Sequence, residues 1–337
     1  MLTVATEEIM NLALPLDGLQ IEDQKQQHIR DFFEYTRQSK SENSVRAYRF
    51  AWAKFIDWCQ SNSYDPLLPP ASSFELLIGI FISAMAKQQE LKPASMNAYL
   101  SGIKHFYAEK GIPVDTRHYE IRKAISGIRR EMGVKQCCKL PLTTETIKLL
   151  IDAMGKLSKP IDIRDKTIIL IGFAGAFRRS ELVGIDLKDF IFDQLGVTIF
   201  IPNSKTDQEG EGRYVDVPFS PNEQYCPIRA LQAWLHLSQI TEGPLFCGIT
   251  KGGKITAKRL GDRSVALMLK KRCSPFGFSN DIAGHSLRAG HVTSSIKNGT
   301  PETWIMRQTG HTNINTLRKY ERMTREFEAN SAARIGL

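Results

Sequence analysis

The C-terminal part of the sequence holds side chains whose types suit phosphoryl transfer. His285-Ser-Leu-Arg288 is followed by Gly310-His311, and Tyr320 comes nine residues after that histidine. Far upstream lies Arg178-Arg-Ser-Glu181-Leu, with Lys205 between the two groups. Two arginines can hold a phosphate through paired donors and offset charge developing on its non-bridging oxygens. A tyrosine hydroxyl can attack phosphorus and keep the bond energy in a phosphotyrosine ester. Histidines can take the phenolic proton or donate to the phosphate, and a lysine can protonate the departing oxygen. The guanidinium groups bring the positive charge that a cation would otherwise supply, so this chemistry needs no metal and no cofactor. His285, His291 and His311 also lack the compact spacing of a metal site.

Taken singly, each of these residues has a plainer explanation. A tyrosine near a C-terminus usually packs, and an isolated HxxR is a common helical pair. Arg-Arg-Ser-Glu-Leu can be no more than a charged helix entrance, and a lysine in a polar turn is normally just solvated. The combination, in this order, carries the argument.

The elements that must position the set follow from periodicity. Ser44–Cys59 places Tyr48, Trp52, Phe55 and Cys59 on one helical face, and Phe74–Ala86 is strongly apolar. Pro93 is expected to open a third helix with Met96, Leu100, Ile103 and Tyr107 inward. A fourth, Ile121–Met132, should bury Ile121, Ile125, Ile128 and Met132. After a polar stretch ending in Pro141, helices are expected over Thr143–Met154, capped by Thr143, and from about Asp162. The period then changes. Val197–Ile201 and Tyr214–Val217 flank SKTDQEGEGR, a hairpin with a long polar tip bearing Lys205. Cys226–His236, Thr256–Lys271 and most of the chain after His285 read as helical again. The fold class is therefore mainly α with a small β-sheet: an N-terminal helical bundle and an α+β C-terminal domain. The expected boundaries are a tail over 1–24, a helical domain over 25–132, a linker over 133–141 and the second domain over 142–337.

Composition narrows the partner. The formal net charge is +9. Residues 1–135 hold 17 basic against 16 acidic side chains, leaving 28 against 20 of the chain's 45 and 36 for the remainder. Five of the early acids lie in the tail; residues 26–135 hold 16 basic against 11 acidic. Both domains are thus moderately basic, as expected of proteins that face a polyanion, although many proteins reach this charge without doing so. No stretch has the ~20 uninterrupted apolar residues that a membrane span needs. The first residues lack the basic start and apolar core of a secretory signal. Six cysteines without a CxxC pair read as reduced thiols, which points to a cytoplasmic setting.

On these motifs the sequence resembles the tyrosine recombinase, or phage-integrase, family over roughly residues 140–337. The family's G-L-R-x-S-E-L box appears as Ala176-Phe-Arg-Arg-Ser-Glu-Leu182, its H-x-L-R box as His285–Arg288, and its L-G-H-x(8)-Y box as Thr309–Tyr320. The N-terminal helices resemble, more weakly, the family's core-binding domain in a Cre-like arrangement. The resemblance implies that Tyr320 is the nucleophile, that Arg178 and Arg288 clamp the scissile phosphate, and that Lys205 is the general acid. It also implies that His285 assists proton transfer, that His311 hydrogen-bonds the phosphate and that Glu181 props the site. It implies conservative exchange between two short, partly palindromic DNA sites through a 3′-phosphotyrosine and a Holliday junction, with a dimer per site, a tetramer in synapsis and no cofactor. A type IB topoisomerase and a catalytically idle DNA-binding regulator are the alternative readings. Only about 24 residues precede the first helix, which leans towards a system without an arm-binding domain; accessory proteins stay open. Departures are Ala176 for the usual Gly, Arg179 beside Arg178, and Ala289-Gly290 where His-Thr is frequent.

The N-terminal contacts with duplex DNA are expected from two helices. Ser95, Asn97, Ser101, Lys104 and His105 face away from the apolar stripe of the third, where polar side chains can read base edges. Arg122, Lys123, Arg129 and Arg130 line the outer faces of the fourth. Beyond the nucleophile, 324–337 carries Phe327, Ala332 and Ile335 and is expected either to pack on its own domain or to dock on a neighbouring protomer.

Overall fold

The structure, a computed structural model, describes residues 23–133, 139–202 and 211–321. The tail before Asp23, Lys205, Cys137, Cys138 and the segment 324–337 lie outside the described residues. The chain divides into two units, Met1–Gln136 and Cys137–Leu337. Both are built mainly of helices, and the second adds two small antiparallel sheets.

The first unit comprises α1 (Asp23–Gln38), α2 (Glu42–Ser61), α3 (Phe74–Lys87), α4 (Met96–Glu109) and α5 (Tyr119–Met132). Ser41 and Ser73 cap α2 and α3, their hydroxyls accepting the N–H groups of Ser44 and Leu76. The core is aromatic: Trp52, Phe55, Phe81 and Tyr107 are buried edge to face. The Tyr107 hydroxyl donates to the Pro66 carbonyl at 2.6 Å, so its burial leaves no polar atom stranded. Helix α4 crosses α2 closely at Gly102, where a Cβ would lie 2.8 Å from that of Ala51. Two expectations fail here. Pro93 precedes α4 by three residues instead of opening it, because a turn closes first, the Ser95 N–H donating to the Lys92 carbonyl. Met132 is exposed, lying on the last turn of the helix, which Gly133 at φ +72° ends.

The second unit runs α6 (Thr144–Met154), α7 (Pro160–Ala174), α8 (Arg179–Gly184), β1 (Phe190–Phe192), β2 (Gly196–Ile201), β3 (Arg213–Pro218), α9 (Pro227–Ser238), β4 (Cys247–Ile249), β5 (Ile255–Arg259), α10 (Asp262–Cys273), α11 (Ser286–Lys297), α12 (Glu302–Thr309) and α13 (Ile314–Glu321). Strands β1, β2 and β3 form one antiparallel sheet, with Val197 opposite Val217, Ile199 opposite Val215 and Ile201 opposite Arg213. Those valines and isoleucines are buried, whereas Tyr214 and Asp216 alternate outward. The expected helix over Thr256–Lys271 is instead β5, a break at Leu260-Gly261, and α10. Its first residues pair with β4 across a tight turn, Thr250 N–H donating to the Lys254 carbonyl.

Helix α7 leads into the first motif, and buried ion pairs hold it in place. Arg272 of α10 reaches Asp162 at 2.7 Å and Asp165 at 2.6 Å, and Arg164 pairs with Asp165 at 2.9 Å. The segment before α6 threads over α11: Leu142 N–H donates to the Ser286 carbonyl, and Thr144 N–H to the Ser294 hydroxyl. Gly290 makes that passage possible, since a Cβ there would lie 1.8 Å from the Leu142 carbonyl oxygen. The Ala289-Gly290 departure thus has a steric cause.

Candidate active site

The first motif sits on a sharp turn. Helix α7 ends at Gly175, Ala176 adopts φ +50°, and Arg178 is extended at the N-cap of α8. An alanine in the left-handed region costs about 1–2 kcal/mol that a glycine would not. Here that conformation directs the Ala176 carbonyl to Arg288, whose Nη1 donates to it at 2.9 Å.

Glu181, three residues into the motif, is buried and organises the centre. Its Oε2 accepts the Arg178 N–H at 2.9 Å and Arg213 Nη2 at 3.0 Å, and its Oε1 accepts Arg178 Nη1. Burial alone would raise its carboxyl pKa, but the Arg178 N–H and the guanidiniums of Arg213 and Arg178 outweigh it and hold the value below the usual range. Arg179 turns the other way, pairing with Asp262 at 2.9 Å across Gly284. Of the two adjacent arginines, Arg178 therefore points inward.

Arg288, on the first turn of α11, is 2% exposed. Burial, with Arg178 beside it, pushes its pKa down to about 10. Its Nη2 is buried and has no hydrogen-bond partner among the described residues. His285 is exposed at the N-cap of the same helix, three residues earlier and so on the same side of it.

The third motif is two short helices around a glycine. Gly310, at φ +68°, ends α12, and Asn313 starts α13 by accepting the Asn315 N–H at 2.8 Å. This brings Tyr320, half-buried against Val292, Ile305 and Leu317, to within 6.3 Å of His311, ring centre to ring centre. Burial and the charges of Arg288, Arg178 and Arg213 drive the His311 pKa down to about 4, so the ring is neutral near pH 7. Its tautomer follows from Thr309. That hydroxyl donates to the Ile305 carbonyl at 2.6 Å, so it can only accept from His311 Nδ1 at 2.9 Å. The proton is then on Nδ1, and Nε2 is an acceptor.

The site thus gathers Arg178, Glu181, Arg288, His311 and Tyr320; His285 stands three residues before Arg288 in sequence, and Lys205 lies outside the described residues. His291 lies elsewhere: its Nδ1 donates to the Phe173 carbonyl at 2.9 Å, and burial lowers its pKa to about 4. Arg213 and Gln308 were not among the residues that the motifs singled out, and Thr309 only opened the third box without a role of its own. Their signal in sequence is faint, since Arg213 only opens a strand after a glycine. In the first unit Ser95, Asn97, Ser101 and Lys104 are exposed on or beside α4, and Arg122, Lys123, Arg129 and Arg130 are exposed on α5. His105 is half-buried, 3.3 Å from Glu109, with its ring tilted against that of Tyr48. Lys123 lies over the Tyr119 ring at 4.7 Å. No group of three or more His, Cys, Asp or Glu among the described residues is arranged to hold a metal ion. No helix among them is long and apolar enough to cross a membrane.

Comparison with known proteins bears on the family of the chain. Residues 141–326 match the Phage integrase family. The chain is 37% identical over 299 residues to the integrase/recombinase xerD homolog of Selenomonas ruminantium, covering 88% of this chain and 86% of that protein. It is 25% identical over 247 residues to the tyrosine recombinase XerC of Shewanella sp. strain ANA-3, covering 71% and 73%. The fold is similar to that of XerH site-specific recombinase bound to palindromic difH substrate, with a TM-score of 0.63 at 20% identity over 86% of this chain and 79% of that one. It is similar also to a lambda integrase dimer bound to a COC′ core site, with a TM-score of 0.59 at 13% identity over 97% and 89%. With its motifs gathered around Tyr320, this chain belongs to the phage integrase family of tyrosine recombinases.

Proposed function

We propose that this recombinase cuts duplex DNA with Tyr320, whose oxygen forms a bond to phosphorus while the bond to the 5′ oxygen breaks. Arg178 and Arg288 hold the non-bridging oxygens, and Lys205 gives the 5′ oxygen its proton. His285 and the Nε2 of His311 provide acceptors for the phenolic proton. Once protonated, His311 becomes a donor, and it can then hydrogen-bond the phosphate. The covalent 3′-phosphotyrosine is resolved when a 5′ hydroxyl of the partner strand attacks it, returning the tyrosine and forming a Holliday junction.

The observation that carries this reading is Arg288 Nη2, a buried cationic donor without an acceptor among the described residues, next to Arg178 and a half-buried tyrosine. A buried unpaired donor is costly. A phosphate oxygen is the acceptor that suits it. The XerH and lambda integrase structures hold DNA, and by likeness to them we take the ligand to be duplex DNA, gripped by a dimer on each site and by a tetramer in synapsis. The exposed polar and basic residues of α4 and α5 supply the first unit's grip: Ser95, Asn97, Ser101 and Lys104 toward the bases, Arg122, Lys123, Arg129 and Arg130 toward phosphates. The location inferred from bacterial relatives is cytoplasmic. The test uses a nicked DNA site that traps the adduct. Wild-type protein is expected to become covalently joined to DNA, and Tyr320→Phe is not; an adduct with Tyr320→Phe ends the assignment.

A further inference from the structure

We propose that Arg213 is a positioning residue of this site, fixing both the turn that carries His311 and the carboxylate that orients Arg178; the proposal rests on the reading of Tyr320 given above. Arg213 is the first residue of β3 and opposes Ile201, so it closes the last ladder pair before the hairpin tip. Its side chain runs away from the sheet into the centre of the unit. One terminal nitrogen, Nη2, donates to Glu181 Oε2 at 3.0 Å, the same oxygen that takes the Arg178 N–H. The other, Nη1, donates to the Gln308 carbonyl at 2.9 Å. That carbonyl belongs to the last turn of α12, immediately before Thr309-Gly310-His311.

Three further observations tie the same parts together. Gly310 lies so close that a Cβ on it would be 2.9 Å from Arg213 Nε and 3.0 Å from Cδ. The glycine therefore serves the contact with Arg213 as well as the left-handed turn. The Gln308 side chain answers from the other direction, its Nε2 donating to the Asp216 carbonyl of β3 at 3.0 Å and to the Ala174 carbonyl at 2.9 Å. The end of α7, the base of the hairpin and the His311 turn are thus joined at one residue pair, Arg213 and Gln308. Lastly, burial lowers the Arg213 pKa against the pull of Glu181, which marks a cation kept inside for what it holds.

The geometry also says what Arg213 does not do. Both terminal nitrogens are engaged by protein oxygens, and Nε, which has no hydrogen-bond partner among the described residues, is packed against Gly310, where a Cβ would lie 2.9 Å away. Arg288, by contrast, has a terminal nitrogen without a hydrogen-bond partner among the described residues. Arg213 therefore acts through Glu181 and His311 and does not clamp the phosphate. A lysine could reach one of the two acceptors but not both, because its ammonium is a point donor where the guanidinium is a fork.

The experiment is single-turnover adduct formation on the nicked site, with DNA affinity measured separately, in the full-length chain. Arg213→Ala is expected to slow adduct formation about 10²-fold, the scale of a misplaced catalytic group, with affinity within about threefold. Arg213→Lys is expected to recover part of the rate. If Arg213 works through His311, the pair Arg213→Ala/His311→Gln is no more than about threefold slower than the slower single variant. Arg213→Gln, which leaves a smaller cavity than alanine and no charge, carries the same comparison should the alanine variant lose its cooperative unfolding transition. Three results overturn the proposal: a rate within about threefold of wild type, effects that multiply in the double variant, or a loss seen only in DNA affinity. An adduct with Tyr320→Phe sinks the underlying reading instead, so the two failures are told apart.

Discussion

Glu181→Gln is the substitution most informative about how the centre is held. The carboxylate is buried, its side chain only 2% exposed, and it receives three donors. Two of them, Arg178 N–H and Arg213 Nη2, meet at Oε2, and Arg178 Nη1 meets Oε1. Glutamine has the same shape but one oxygen. With its oxygen at the Oε2 position, its NH₂ faces Arg178 Nη1; reversed, its NH₂ faces two donors at once. Neither orientation satisfies the site, and two buried guanidiniums lose their counter-charge. Removing one partner from such a set costs about 3–5 kcal/mol, and burial leaves no solvent screening to discount it. For a unit of this size the loss corresponds to a fall in Tm of about 6–20 °C. The pH dependence has a definite sign. The Glu181 carboxyl lies below its unfolded value of 4.5, so its contribution is present above that pH and disappears as pH falls through the folded value. Urea unfolding by circular dichroism, scored on the transition that also abolishes adduct formation, should show the full gap between wild type and variant near neutral pH. The gap should narrow as the pH is taken below about 4.5. A gap under about 1 kcal/mol at neutral pH, the worth of an ordinary hydrogen bond, or one that keeps its width in acid would refute the reasoning.

The remaining expectations need less space. His291 is held neutral with a pKa of about 4 against 6.5 when unfolded, so the unfolded chain binds its proton first and stability rises with pH across that window. His291→Asn, which keeps a donor for the Phe173 carbonyl, should remove about 2 kcal/mol of the stability that wild type loses between neutral pH and pH 5; equal acid sensitivity of the two proteins in urea melts would count against it. Gly290→Ala should cost about 3 kcal/mol or more by driving the Leu142 carbonyl off α11. Gly127→Ala, on an exposed face of α5 with nothing within 4 Å, should instead stabilise by about 0.5–1 kcal/mol. Both are read from urea midpoints, and equal shifts would undo the steric account. Lys205→Ala should slow adduct formation while leaving DNA affinity intact, and a large drop in affinity in a binding titration would recast that lysine as a docking contact.

How much of this could be read from sequence depended on whether the signal was local. Helices α2, α3 and α5 carry apolar residues at helical spacing and bury most of them in that register, Tyr48 being half-buried and Met132 exposed, because one face per helix suffices to specify them. Strands β2 and β3 were legible for the same reason: Val197, Ile199, Val215 and Val217 alternate. Strand β5 was not, since Ile255-Thr-Ala-Lys-Arg259 has exposed basic residues in place of an alternating face and lies against the helical run that follows. Strand β1, three residues long, offers too little pattern to recognise. At the site, the motifs located Arg178, Arg288, His311 and Tyr320 because each sits at the start or end of a short helix, where spacing fixes geometry. Arg213 stayed hidden because its partners, Glu181 and the Gln308 carbonyl, lie 32 and 95 residues away. A contact with a main-chain carbonyl leaves no residue type to recognise.

The charge of the assembled centre bears on why it favours reaction over mere binding. Arg178, Arg213 and Arg288 surround one carboxylate, and His311 is neutral, so the buried set carries a formal +2. A phosphodiester brings one negative charge. When the tyrosine oxygen adds, the five-coordinate phosphorus carries a second, provided that the phenolic proton has left for a base. The neutral Nε2 acceptor can be that base, but taking the proton puts a further positive charge beside the phosphate. Pocket and phosphate together thus carry +1 before and after the transfer, so the pocket helps by where its guanidiniums lie relative to the charge growing on phosphorus, not by a change in net charge. Low exposure strengthens the effect, because these charges act through little water. Burial first, and then the charge of Arg178, account for the depressed pKa of Arg288: the centre keeps that guanidinium charged at a cost in the free protein, and on the proposed reading a bound phosphate offsets that cost. DNA should accordingly stabilise the second unit by more than its contact area implies, and the surplus should vanish with Arg288→Ala. A thermal shift on DNA binding that is the same in wild type and in Arg288→Ala would show that the pocket's charge is not what the phosphate meets.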